Sequence, residues 1–276
     1  MNARNPRRNN HYTPRAHLAR FVDPTDPQRR LWVYDRSKPF KDQPKLRHPS
    51  QVGKARDLYV LQTDDSTIDD ELERWFSDEI DSPAASAFGS LISLGPSSLS
   101  AEERRAVARY LAAQDVRTPA SRDWTRVEVQ KQNPAETEAG FQRAWVEWIR
   151  GAPDRLASQI EQLGWKVIRA PSNVSFLTSD IGLAKVTKDL TASVPFAPGW
   201  SSIGGYRHWV FPLEPHSTLF LSPGVSDGTI ESAKSDACRQ LNYRMFEQAL
   251  RYVFGSHRDG DVQSVFSQSQ QLSSMG

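Results

Sequence analysis

A histidine, two glutamates, an arginine and an aspartate each stand beside apolar runs, and each is of a type that does chemistry. His11 lies in His11-Tyr12-Thr13-Pro14-Arg15, just ahead of Leu18 and Phe21. A neutral imidazole can ligate a divalent metal or act as a base near neutral pH. Such a ring can equally fill a pocket and hydrogen-bond a carbonyl, and the local pattern leaves both readings open. His17, six residues on, falls on an exposed-looking turn and ranks below it. Glu73 and Glu79 stand in Leu72-Glu73-Arg74-Trp75-Phe76-Ser77-Asp78-Glu79. Six residues of α-helix are about 240° of rotation, so both carboxylates reach one ion only if the helix bends. Glu73 adjoins the Leu72/Phe76 stripe and is the inward group, the alternative for both being a solvated acidic face. Arg117 closes a helix, where it either offsets the dipole or grips a phosphate or carboxylate with its fork. Gln114 precedes it on the same face. Asp180 ends the strand-like run Phe176-Leu177-Thr178-Ser179, a place from which an acid is presented to a metal or an arginine. Asn242 lies inside a helical stretch it does not favour, which burial with hydrogen bonds would explain.

The elements that must position these groups are short strands at both ends and helices between. Residues 31–34 and 58–62 are β-branched and aromatic between Pro-, Asp- and Lys-rich loops. From residue 67 the apolar period becomes helical, with Pro83 kinking or ending the helix before Gly95-Pro96 stops it. Ser100 with Glu103 forms a capping-box pair for a helix reaching about residue 116. Residues 136–150 predict another helix, and Pro153 predicts the start of a separate one that ends at Gly164. Strands follow at 165–168, 175–178, 209–211 and 218–221, then a long final helix over 229–252. Segregated strands and helices predict an α+β fold: short strands at both ends around a helical middle, with a long C-terminal helix. The expected organisation is a flexible basic arm at 1–10, one domain at 11–254 and a disordered polar tail at 255–276.

The chain has 276 residues, 38% of them apolar, and a mean hydropathy of −0.61. No run approaches the ~20 apolar residues of a membrane helix, so no membrane partner and a cytoplasmic location are expected. A single cysteine, Cys238, leaves no internal disulfide and no cysteine-based zinc site. The net charge of +2 conceals an asymmetry. Residues 1–56 carry 14 Lys/Arg against 4 Asp/Glu, and residues 64–81 carry nine carboxylates against one arginine. The basic third either attracts a phosphate polymer or neutralises the acidic segment behind it. Phosphate loops, dinucleotide fingerprints and His-Glu-x-x-His are all absent.

The opening run, with Leu18 and Phe21 after it, resembles the start of the bacterial domain-of-unknown-function family 4238, His-Tyr-x-Pro-Gln then Leu-x-x-Phe. Glu73 and its neighbours are similar to that family's Leu-Glu-x-x-(apolar)-x-x-x-Glu. Gln114, Arg117, Thr118 and Pro119 resemble Gln-x-x-Arg-Thr-Pro. Asp180 matches an apolar-Thr-Ser-Asp pattern usually followed by x-Pro, where Ile181-Gly182 stand here. Asn242 resembles an asparagine on the family's last helix. Arg15 occupies a position usually held by glutamine; if that glutamine positions a ligand, Arg15 changes the charge of the site. The resemblance covers residues 11–254.

Two functions follow. The first is a metal-dependent hydrolase, such as a nuclease, acting on nucleic acid or another phosphodiester. In it His11, Glu73 and Asp180 hold a Mg or Mn ion, Arg117 completes the catalytic set, and Arg15, Gln114 and Asn242 bind substrate. Arg4, Arg7 and Arg8 would add affinity for the polyanion, and the family resemblance suggests a setting in bacterial or antiviral defence. The second is a non-catalytic module that binds nucleic acid or a protein through Trp32, Tyr34 and the basic third. The two differ in space: the first needs His11, Glu73, Arg117 and Asp180 in one cleft.

Overall fold

The computed structural model describes residues 8–38, 43–62, 68–69, 71–187, 208–225, 227–258 and 262. The expected arm up to residue 7 and the tail from residue 263 lie outside the described residues. The chain begins with β1 (Asn9–His11), α1 (Arg15–Leu18), β2 (Leu31–Asp35), β3 (Lys45–Arg47) and β4 (Lys54–Arg56). The short pair β5 (Leu61–Gln62) and β6 (Ile68–Asp69) leads into α2 (Glu71–Trp75), a π-helical turn (Phe76–Asp81) and α3 (Ser82–Leu94). Then come α4 (Ala101–Val116), α5 (Pro119–Gln132) and α6 (Glu138–Glu161). The remainder is β7 (Gly164–Arg169), β8 (Thr178–Ser179), β9 (Ala184–Val186), β10 (His208–Glu214), β11 (Ser217–Ser222), β12 (Thr229–Ser232), α7 (Ser235–Gln248) and β13 (Tyr252–Gly255). The fold is α+β.

The larger sheet has the order β12-β7-β11-β10-β9, antiparallel except for β12 against β7. Side chains alternate faces along a strand, so β10 sends Trp209, Phe211 and Leu213 to one core and Val210 to another. The first core is the helical layer of α3, α4 and α6, where Phe88, Leu111 and Trp145 are buried. The second is formed with α7 through Cys238, Leu241 and Met245. The smaller sheet, β3-β2-β13-β8, joins N-terminal to C-terminal strands, and β1-β4 forms a separate two-stranded ladder.

Several boundaries differ from expectation, each for a physical reason. Asn9 and Asn10 belong to β1, because pairing with Arg56 and Ala55 supplies the backbone partners an arm would lack. Pro153 does not start a helix but lies inside α6. It removes one backbone bond at a cost of about 3 kcal/mol. The buried stripe Phe141, Trp145, Ile149, Ala157 and Ile160 continues across it, and that packing outweighs the defect. The long final helix is confined to residues 235–248. Thr229 to Ser232 pair with β7 instead, and residues 252–255 pair with both β2 and β8. Residues 255–258 are thus continuous with the fold, and Ser256 is buried. The unanticipated α5 is polar, yet Thr118 accepts from the Ser121 N–H at 3.2 Å as its N-cap, with Pro119 in the first turn.

Candidate functional site

The β1–β4 ladder is the element from which the site is built. The Tyr12 and Thr13 N–H groups both donate to the Gly53 carbonyl, at 3.0 and 3.1 Å. Gly53 has φ +64°, and a Cβ there would come within 2.9 Å of the Thr13 Cβ, so glycine is required at this turn. Buried Asn10 accepts from the Tyr59 N–H at 3.1 Å, and Glu73 Oε1 accepts the His11 N–H at 3.2 Å. His11 is thereby fixed at the rim of a cleft of about 640 Å³, with Arg15, Glu73, Phe76, Ser77 and Asp81 also lining it. Its Nε2 is buried and has no hydrogen-bond partner. Burial chiefly, then the charge of Lys54, pulls the His11 pKa below the ordinary imidazole value, although a bond to the Ser50 backbone opposes this. Burial thus favours the neutral ring.

The wall opposite His11 is the π-helical turn. The Ser82 N–H donates back to the Ser77 carbonyl, five residues earlier. Pro83 has no N–H to give to the Glu79 carbonyl, and Arg109 Nη1 supplies the missing donor at 3.1 Å. A π turn carries more residues per turn than an α-helix and often marks functional positions. Glu73 faces the cleft and Glu79 is exposed, so the two do not converge.

Arg117 lies beneath the cleft. Its side chain is 0% exposed, donating from Nη1 to Asp81 Oδ1 at 2.9 Å and from Nη2 to Gln114 Oε1 at 3.0 Å. The guanidinium also lies over the Phe76 and Tyr110 rings. Gln114 Nε2 donates to the Tyr12 carbonyl at 3.1 Å, which ties α4 to the N-terminal ladder. The Tyr59 hydroxyl donates to the Arg117 carbonyl at 2.6 Å. Arg117 and Gln114 therefore support the cleft and do not line it.

Asp180 stands apart. Its carboxylate accepts three successive N–H groups, Leu250 at 2.8 Å, Arg251 at 2.6 Å and Tyr252 at 2.8 Å. Burial pushes its pKa up to about 6 in spite of those bonds. Asn242 is similarly committed, accepting from the Leu177 N–H at 2.9 Å and donating to the Ser175 carbonyl at 2.8 Å. Among the described residues no group of three or more His, Cys, Asp or Glu is placed to hold a metal ion. The expected set of His11, Glu73 and Asp180 is not assembled, because the Asp180 carboxylate closes a turn elsewhere. Of the four expected catalytic residues, only His11 and Glu73 share the cleft, together with Arg15.

A second cavity, about 480 Å³, opens beside the same ladder and is lined by Lys45, Arg47, Lys54, Arg251 and Asp35. Sequence reasoning passed over these residues individually. The signal for them was the alternation in Lys45-Leu46-Arg47 within the basic third. Within the acidic segment, Glu71 pairs with Arg150 and Asp81 with Arg117, both in the helical middle. Arg8 is forked to Asp57, while Arg4 and Arg7 lie outside the described residues.

The model of the family described as Protein of unknown function (DUF4238) matches residues 9–150 and 147–259. The chain belongs to that family. No curated protein and no solved structure matches it. The two DUF4238 segments overlap inside α6, the helix that packs on α4 and so lies behind the cleft. No helix among the described residues is long and apolar enough to cross a membrane.

Proposed function

We propose that the protein hydrolyses phosphodiesters, with nucleic acid as the substrate class, at the cleft of His11 and Glu73. The observation that carries this reading is that His11, Glu73 and Arg15 line one cleft, where burial chiefly draws the His11 pKa below the ordinary imidazole value. A neutral imidazole is competent as a base. In the proposed step His11 takes a proton from water as its oxygen bonds to phosphorus. The P–O bond to the leaving oxygen breaks, and the proton is returned to that oxygen. Glu73 positions His11 through its backbone N–H, and Arg15, exposed and without an ion pair among the described residues, offsets phosphate charge. Arg117 and Gln114 act as positioning residues. The expected three-residue metal set does not fit, so no step is assigned to a metal. The same proposal sets the protein in the cytoplasm, in bacterial or antiviral defence.

The test is cleavage of single- and double-stranded DNA and RNA, with and without added Mg²⁺ or Mn²⁺. His11→Asn should lower the rate by about 10²-fold or more at unchanged fold. With a base pKa below the ordinary value, the wild-type rate should already be level near neutral pH. Undiminished cleavage by His11→Asn would overturn the assignment. A second reading, a binding module without chemistry, is favoured by the commitment of Arg117, Asp180 and Asn242 to the fold. It expects the wild type to bind the oligonucleotide and return it intact.

A further inference from the structure

We infer that the cavity lined by Lys45, Arg47, Lys54 and Arg251 is a binding site for a phosphate monoester. Lys45 and Arg47 are two residues apart on β3 and share one face of that strand. Lys54 comes from β4, opposite His11. Arg251 is held before β13 at both ends. Asp180 takes its backbone N–H, and Asp35 takes its fork, Nη2 to Oδ2 at 3.0 Å and Nε to Oδ1 at 3.2 Å. That leaves the Arg251 Nη1 for a ligand.

The charge arithmetic favours an anion. The lining holds five cations, Lys38 being the fifth, and one carboxylate, a balance of +4. Asp35, the carboxylate, is already satisfied by Arg251 and by the Ser37 N–H and hydroxyl, at 3.1 and 2.6 Å. Lys45, Arg47 and Lys54 have no ion pair among the described residues. Collecting unpaired like charges at one concavity opposes folding, and a bound anion reverses the sign of that energy. The volume of about 480 Å³ lies within the range of about 300–1,000 Å³ typical of small-ligand sites. Tyr12, Val33 and Tyr252 add an apolar wall, so a phosphate carried on an organic group fits better than a bare ion.

The phosphate monoester has two sources, the end of a nucleic-acid strand or a free nucleotide. This inference does not depend on hydrolysis at the His11 cleft. The test is calorimetric titration with a 5′-phosphorylated oligonucleotide, the same oligonucleotide ending in a 5′-hydroxyl, and a nucleoside 5′-monophosphate. At least tenfold tighter binding of the phosphorylated strand, or saturable binding of the monophosphate, is expected. The first outcome assigns the strand end as the source and the second the free nucleotide. Arg47→Gln with Lys54→Gln should abolish the preference without lowering the denaturation midpoint, and binding should weaken with salt. His11→Asn should retain it. Equal affinity for both strand ends with no monophosphate binding would overturn the inference. So would a preference that survives the double variant. Cleavage that persists in either case would leave the hydrolase reading standing.

Discussion

The same residue types behave differently on the two sides of the β1–β4 ladder. Behind it, Arg117, Gln114, Asp180 and Asn242 are buried: Arg117 donates to Asp81 and Gln114 although its Nε bonds nothing, and Gln114, Asp180 and Asn242 bond backbone groups. In front of it, Arg15, Lys45, Arg47 and Lys54 have no ion pair among the described residues, and the His11 Nε2 has no partner. Framework polar groups stabilise the fold because leaving one unpaired in the interior costs the full desolvation of its partner. Groups facing a cavity gain nothing from the fold and oppose it slightly, so their placement reflects what enters the cavity. The contrast separates residues that hold the site from residues that use it.

The comparison breaks most readily at Arg117. Replacing it by Met leaves the buried Gln114 oxygen and the cleft-lining Asp81 carboxylate without their donor, at about 3 kcal/mol, the lower end for a broken buried pair. Urea unfolding of Arg117→Met measures this directly. A cost below about 1 kcal/mol would move Arg117 out of the framework.

An acid titration sharpens the comparison next. His17 is buried between Phe21 and Phe211, with one bond to Thr178 at 3.3 Å, and burial pulls its pKa down to about 3. The unfolded chain takes up this proton near pH 6.5 and the folded chain does not. The contribution is therefore intact above pH 6.5 and is lost as pH falls toward 3. The loss at pH 3 is on the order of 4 kcal/mol. His17→Leu should remove that part of the pH dependence. An unchanged slope would place the acid sensitivity in other groups.

How much of this was legible in the sequence depends on whether the signal was local. Ser100 and Glu103 cap α4 reciprocally, at 3.1 and 2.8 Å, as their spacing predicts. The apolar strands β2, β7, β10 and β11 follow from residue type. Residues 229–232 and Tyr252 read as helix because their partners, β7 and β2, are remote in sequence. The hydrophobic period does not report such pairing. His11 and Glu73 were recognisable as site candidates and do share a cleft. Asp180 looked equally chemical, since nothing local reveals that three N–H groups seventy residues away converge on it. The cation cavity was foreshadowed only as a net charge, because its walls come from β3, β4 and the start of β13.

The smallest expected difference is the most direct test: urea denaturation of His11→Ala beside Asp180→Asn. Asparagine in place of Asp180 turns an amide toward an N–H donor, and at least one of the three bonds is lost, at about 1–3 kcal/mol. His11→Ala removes a half-buried ring whose Nε2 bonds nothing and which keeps one bond, to the Ser50 backbone, so its stability should stay within about 1 kcal/mol of the wild type. A His11→Ala cost equal to or larger than that of Asp180→Asn would contradict the division between framework and site.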